Sequence, residues 1–276
     1  MRVAAVQLNS QHDKDLNIKT AIEAVGSAAE RGARFVLLPE YVDYLGDKEG
    51  AAAAAEPEDG PAHAAFAEAA RTHGVWLHCG SIRVAAPDGR AFNTSVVFAP
   101  DGSVAARYRK VHLFDVDIPD GVTYRESDSV APGDRFVTCD VDDWKVGLSI
   151  CYDLRFPELY RGLTLAGANL IVVPAAFTFY TGRYHWEVLL RARAIESQCY
   201  VLAAGQTGPH IADDGAPART NGRSMLIDPW GTVVACAPDT DGLSIVTGDL
   251  YRSQLDTVRN QVPSLRNRRP EVYAAS

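Results

Sequence analysis

Short apolar runs alternate along the chain with longer stretches of helical spacing, and the two periods separate the elements. Strand-like runs cover Arg2–Leu8, Arg34–Leu38, Val75–Gly80, Trp144–Ile150, Asn169–Val173 and Tyr200–Ala204. Helical stretches lie between them at Asp13–Arg31, Pro61–Thr72, Pro157–Ala166 and Tyr184–Gln198. In the last of these, Trp186, Leu189, Leu190, Ala194 and Ile195 recur near helical spacing, with Arg191, Arg193 and Glu196 at other positions. Turn-forming clusters predict hairpins. Pro87-Asp88-Gly89 separates Ile82–Ala85 from Phe92–Phe98, and Pro100-Asp101-Gly102 separates that strand from Val104–Tyr108. Asp228-Pro229-Trp230-Gly231 divides Ser224–Ile227 from Thr232–Ala235, and a last strand, Leu243–Gly248, precedes a short helix and an Arg/Pro-rich tail at Val262–Tyr273.

Alternation of this kind predicts an α/β fold with helices outside the sheet, and the hairpins make the sheet mixed. Related patterns before and after Lys110 predict two packed sheets. No linker interrupts them, so residues 1–276 read as one domain. The stretch Gly50–Gly60, rich in Ala, Glu, Pro and Asp, reads as a surface insertion.

Composition narrows the class. With 276 residues, 47% hydrophobic and 22% charged, the chain can bury one large core. No run approaches the ~20 apolar residues of a membrane helix. The start, Met1–Leu8, turns polar too soon for a secretory leader. A net charge of -8 argues against nucleic acid or an anionic membrane as partner. The cysteines, Cys79, Cys139, Cys151, Cys199 and Cys236, form no CxxC pair, which predicts a reducing, cytoplasmic setting. Cys79, Cys199 and Cys236 lie in apolar runs and read as buried, inert thiols.

Cys151 differs. Val146, Leu148 and Ile150 alternate as in a half-buried strand, and Pro157-Glu158 opens a helix, so Cys151 sits on the turn between them. Such a turn lifts a side chain out of the sheet, as a nucleophile elbow does. Free N–H groups of the helix facing the sulfur would favour the thiolate. Glu40 ends the buried strand Phe35–Leu38, and Lys110 ends the hairpin strand before His112. Groups at strand ends collect at one rim in sheets of this type. A carboxylate there can take the thiol proton and return it to a leaving amine. An ammonium and the Tyr152 N–H can hold an oxyanion. Taken singly, Glu40 is an ordinary strand-end acid, Lys110 a surface lysine and Cys151 a core thiol. His112 and His185 leave open a Cys–His pairing, and no metal-ligand spacing stands out.

These runs resemble the nitrilase superfamily of carbon–nitrogen hydrolases. The resemblance rests on Leu37-Leu38-Pro39-Glu40, on Tyr108-Arg109-Lys110-Val111-His112-Leu113-Phe114-Asp115, and on the run from Ser149 through Cys151 to Glu158. It continues to Arg269-Pro270-Glu271-Val272-Tyr273 and so spans the chain. It implies a four-layer α-β-β-α sandwich that pairs into homodimers, with the tail from about 262 to 276 near a subunit interface. It also implies Glu40 as general base, Lys110 as oxyanion stabiliser, Cys151 as nucleophile and Glu126 as a second glutamate holding Lys110 and substrate. No cofactor or metal is implied.

Within the superfamily, His112-Leu113-Phe114-Asp115-Val116-Asp117-Ile118-Pro119 and His185–Glu196 are most similar to the deaminated-glutathione amidase and omega-amidase branch. That likeness implies short amides with a carboxylate or 2-oxo acid end, gripped by Arg155, with Tyr44, His112, Phe177 and Thr181 at other pocket positions. Arg183 and Arg223 stand where relatives differ, as does the loop Gln206–Thr220, all near the expected pocket mouth. The reading is a thiol amidase. An N-carbamoyl hydrolase, a nitrilase and a catalytically idle ligand-binding or scaffold protein are its rivals.

Overall fold

The computed structural model describes residues 1–117, 123–212 and 214–273. The end of the amidase-like run at Ile118-Pro119, position 213 of the divergent loop and the last residues of the tail lie outside these. The first half supplies β1 (Arg2–Gln7), β2 (Phe35–Leu37), β3 (Trp76–His78), β4 (Ile82–Ala85), β5 (Ala91–Phe98), β6 (Val104–Arg109), β7 (Asp115–Asp117), β8 (Thr123–Arg125) and β9 (Val130–Ala131). The second supplies β10 (Thr138–Val141), β11 (Trp144–Leu148), β12 (Leu170–Ala175), β13 (Tyr200–Gly205), β14 (Thr207–Ile211), β15 (Pro217–Asn221), β16 (Met225–Ile227), β17 (Val233–Cys236) and β18 (Ser244–Asp249). The helices are α1 (Lys14–Glu30), α2 (Lys48–Ala53), α3 (Pro61–His73), α4 (Pro157–Leu165), α5 (Phe179–Ser197), α6 (Arg252–Gln261) and α7 (Pro270–Tyr273).

Two mixed sheets form, with orders β18-β1-β2-β3-β5-β4 and β10-β11-β12-β13-β16-β17; β6 and β9 also pair with β5. The strands joined through helices, β1-β2-β3 and β11-β12-β13, are parallel, and those joined by tight turns are antiparallel. Side-chain alternation assigns the layers. Val3, Ala5, Phe35 and Leu37 face the second sheet, while Ala4, Val6 and Val36 pack under α1 and α3. The outer face of the second sheet is covered by Leu159, Tyr160 and Leu163 of α4 and Trp186, Leu190 and Ala194 of α5. The result is a four-layer α-β-β-α sandwich.

Local chemistry explains the element ends. Asp13 caps α1 by accepting the Leu16 N–H at 3.0 Å, and Ala21, Ala24, Val25 and Ala28 make its buried stripe. Pro61 and Pro157 open α3 and α4, and Gly74 closes α3 in the left-handed region at φ 62°.

Four expectations need correction. Helix α5 begins at Phe179 rather than Tyr184, because Gly182 packs against Asn221 and brings the first turn onto β15. Gly50–Gly60 is built into the fold: α2 crosses its start, Glu56 bridges to Val84, and the Glu56 carboxylate pairs with Lys14. The loop Gln206–Thr220 carries the hairpin β14–β15, and its polar sequence hid that pairing. Cys236 is exposed, since β17 lies at a sheet edge and every second residue of it faces outward.

Candidate active site

Three strand ends converge where the sheets meet. Glu40 follows β2, Lys110 follows β6, and Cys151 opens a single 3-10 turn, Cys151–Arg155, after β11. Gly80 lets the β2 end come in: a Cβ there would fall 1.9 Å from the Pro39 carbonyl oxygen, and its φ is +69°. Glu40, Lys110, Glu126 and Cys151 are buried, with exposures of 1%, 2%, 2% and 8%. Lys110 Nζ donates to Glu40 Oε1 at 3.0 Å and to Glu126 Oε1 and Oε2 at 3.0 and 2.8 Å. Asn93 Nδ2 reaches Glu40 Oε1 at 2.9 Å, and the Ala176 N–H donates to Glu40 Oε2 at 2.7 Å. Tyr41 Oη and the Phe114 N–H hold the two Glu126 oxygens at 2.7 and 2.6 Å.

Two carboxylates thus share one ammonium away from water. Burial alone would discharge Lys110, but Glu126 and Glu40 hold its pKa well above the ordinary lysine range. Burial likewise opposes ionisation of Glu126, yet the Lys110 charge and the Phe114 and Tyr41 hydrogen bonds bring it below the usual carboxylate range. The Cys151 thiol is pushed well up, first by burial and then by the Glu40 charge, against the opposing pull of Lys110. The resting nucleophile is therefore a thiol beside a carboxylate. Burial and the nearby acid thus disfavour the thiolate here. Cys151 and Tyr41 both occupy the left-handed backbone region, at φ 46° and 52°. Such strain in non-glycine residues concentrates at functional sites.

A cavity of about 380 Å³ opens over this cluster, within the ~300–1,000 Å³ typical of ligand clefts. Glu40, Lys110, Glu126, Cys151, Tyr152, Arg155, Phe177 and Thr181 all line it. Arg155 Nη1 sits 3.1 Å from His185 Nδ1, and its guanidinium carbon lies 5.1 Å from the Phe177 ring centre. Among the described residues no carboxylate pairs with Arg155. Tyr44 and His112 stand behind the wall. Tyr44 is buried with its hydroxyl 3.3 Å from Asp47, and His112 stacks on Phe156 at 3.7 Å and donates Nδ1–H to Asp153 at 2.7 Å. The mouth arginines are also turned aside: Arg183 donates to the Tyr184 hydroxyl, and Arg223 pairs with Glu187 at 2.9 Å. The β14–β15 hairpin instead supplies Ile211, Ala218 and Arg219 to the outer wall.

Residues 2–260 match the carbon–nitrogen hydrolase family. The chain belongs to that family. It is 42% identical over 269 residues to a deaminated glutathione amidase of Synechocystis, covering 96% of this chain and 97% of that protein. It is 38% identical over 276 residues to an omega-amidase of Homo sapiens, covering 99% and 96%. Among solved structures, the NitFhit protein of C. elegans superposes with a TM-score of 0.89 at 38% identity, over 99% of this chain and 66% of that one.

Sequence reasoning missed several residues that hold the site of this carbon–nitrogen hydrolase together. Tyr41, Asn93, Asp153 and the Ala176 N–H each bond to a glutamate of the site or to the segments flanking it. Asn93-Thr94-Ser95 was the available signal, three fully buried polar residues in an otherwise apolar strand. Arg83 was missed as well; it lines the cavity and covers the Tyr41 ring at 3.8 Å.

Proposed function

We propose that this carbon–nitrogen hydrolase is a thiol amidase for a small carboxylate-bearing amide, such as deaminated glutathione or the omega-amide of a 2-oxo acid. The observation carrying this reading is the buried Glu40–Lys110–Cys151 cluster opening into a cavity that also holds Arg155. Glu40 takes the Cys151 proton as the sulfur attacks the amide carbon. Lys110 and the Tyr152 N–H stabilise the resulting oxyanion. Collapse of the tetrahedral species breaks the C–N bond, Glu40 returns the proton to the departing ammonia or amine, and a thioester remains on Cys151. Glu40 then removes a proton from water, which attacks the thioester and releases the acid and the thiol. Glu126 keeps Lys110 charged and placed through both halves. Arg155 grips the substrate carboxylate, for which a forked guanidinium is suited. Similarity to a deaminated glutathione amidase and to an omega-amidase supports this substrate class.

Two copies pair through α5, whose Tyr180, Tyr184, Val188 and Ile195 form an exposed apolar stripe, 51–66% accessible. The C-terminal tail adds Val262, Val272 and Tyr273, also exposed, to the surface available for pairing. No helix among the described residues is long and apolar enough to cross a membrane. A nucleophilic thiol suits the cytoplasm, where it stays reduced.

Mass spectrometry of protein denatured seconds after mixing with candidate amides tests the chemistry. An acyl adduct is expected on Cys151 and is absent in Cys151→Ala. Amine release that persists in Cys151→Ala rules out the thioester route, and neither adduct nor amine from any such amide rules out the amidase.

A further inference from the structure

We propose that Asp153 is a positioning residue that sets both oxyanion donors, Lys110 and the Tyr152 N–H, against Cys151; this rests on the amidase reading. Asp153 is fully buried and does not line the cavity, so it does not meet substrate. Its carboxylate collects four donors. Oδ1 accepts the His112 N–H at 3.0 Å and His112 Nδ1–H at 2.7 Å. Oδ2 accepts the Tyr108 hydroxyl at 2.7 Å and the Ile150 N–H at 2.9 Å.

The placement of those donors gives the bond set its meaning. Tyr108 and His112 bracket Lys110, each two residues away on the segment ending β6 of the first sheet. Ile150 immediately precedes Cys151 on the segment ending β11 of the second sheet. One carboxylate therefore ties the lysine-bearing end of one sheet to the nucleophile-bearing end of the other. Apolar contacts between sheets tolerate small sliding, whereas four directional hydrogen bonds to one fixed side chain do not. Asp153 also closes the turn on itself: its own N–H donates to the Ile150 carbonyl at 3.0 Å while its side chain takes the Ile150 N–H. The backbone half of that closure, which an asparagine would keep, holds Cys151 at its left-handed φ of 46°, and the side-chain half aims the next N–H, that of Tyr152.

Asp153→Asn separates this role from simple support. An amide offers one acceptor oxygen, so it can keep the His112 pair or the Tyr108–Ile150 pair but presents an NH₂ to the other. The two sheet ends shift slightly, and displacements of that size cost on the order of 100-fold in rate. We expect kcat to fall about 100-fold with KM within a few-fold, and acylation and deacylation to slow equally, since both use the same oxyanion donors. Alkylation of Cys151 by iodoacetamide forms no oxyanion and stays within about threefold of the parent protein. Tyr108→Phe removes one donor and keeps its ring in the core; a kcat loss of about fivefold is expected, with alkylation unchanged and little further loss in the double variant. This second variant carries the test if Asp153→Asn does not fold. A kcat within twofold of the parent in either folded variant overturns the proposal. So does a parallel loss of kcat and alkylation, which marks general disruption of the turn. A parent protein that neither acylates nor releases amine removes the amidase reading and this role together.

Discussion

Replacing Lys110 with methionine removes the charge that Glu40 and Glu126 share. Glu40 and Glu126 stay 1–2% exposed in the same pocket, and each loses a donor at 2.8–3.0 Å. Removing one partner of a buried ion pair costs about 3–5 kcal/mol. In a domain of this size that corresponds to a melting temperature lower by roughly 10 °C. Loss of an oxyanion donor separately lowers kcat by about 10²–10³-fold. The pH dependence supplies the sharper test. In the parent protein the Glu126 pKa lies below the usual carboxylate range despite burial, because of the Lys110 charge and its hydrogen bonds. Its contribution to stability is therefore complete above that range and is lost as pH falls through the depressed value. In Lys110→Met burial acts on Glu126 without the compensating charge, so its pKa rises. The contribution of Glu126 is then full in acid and is lost as pH rises. The stability gap between parent and variant should widen from about pH 5 to pH 7.5 in urea titrations, where every tenfold change in the proton affinity of Glu126 is worth ~1.4 kcal/mol. A gap of equal size at both pH values would refute the account of Lys110 as the shared counter-charge.

Arg155→Lys should raise KM for carboxylate-bearing amides by about 10–100-fold, the loss of a charged bidentate bond of ~1.5–3 kcal/mol, and leave neutral amides nearly unchanged; equal losses on both would show that Arg155 does not read the carboxylate. Because burial and Glu40 push the Cys151 thiol well up, its alkylation without substrate should be slow at neutral pH and still climbing above the usual thiol range. A rate already at plateau by pH 7 would contradict a protonated resting state. Tyr184→Glu places charge in the exposed α5 stripe and should shift the sedimentation of a dimer towards that of a monomer; an unchanged dimer would move the interface elsewhere.

Much of this protein is local enough to be read from its order of residues. Periods of two and of 3.6 placed β1, β11, α1 and α4 within a residue or two, because side-chain alternation and proline or acid caps act over a single turn. The same locality put Glu40, Lys110 and Cys151 at strand ends. What the sequence could not carry is orientation across long separations. Lys110 meets Glu40 over 70 positions, and the Ala176 N–H meets Glu40 over 136. Family position assigned Tyr44 and His112 to the pocket, but packing turned one hydroxyl to Asp47 and spent the other ring on Asp153. Cys236 reads as apolar by its neighbours and is exposed because β17 is an edge strand. The sequence by itself determined which elements form and which reactive groups end them. Only the tertiary structure decided which groups share a counter-charge, how deeply the reactive thiol is buried and which carboxylate straps the two sheets. Those outcomes depend on burial and on hydrogen bonds between residues far apart in the chain, and no local pattern encodes either.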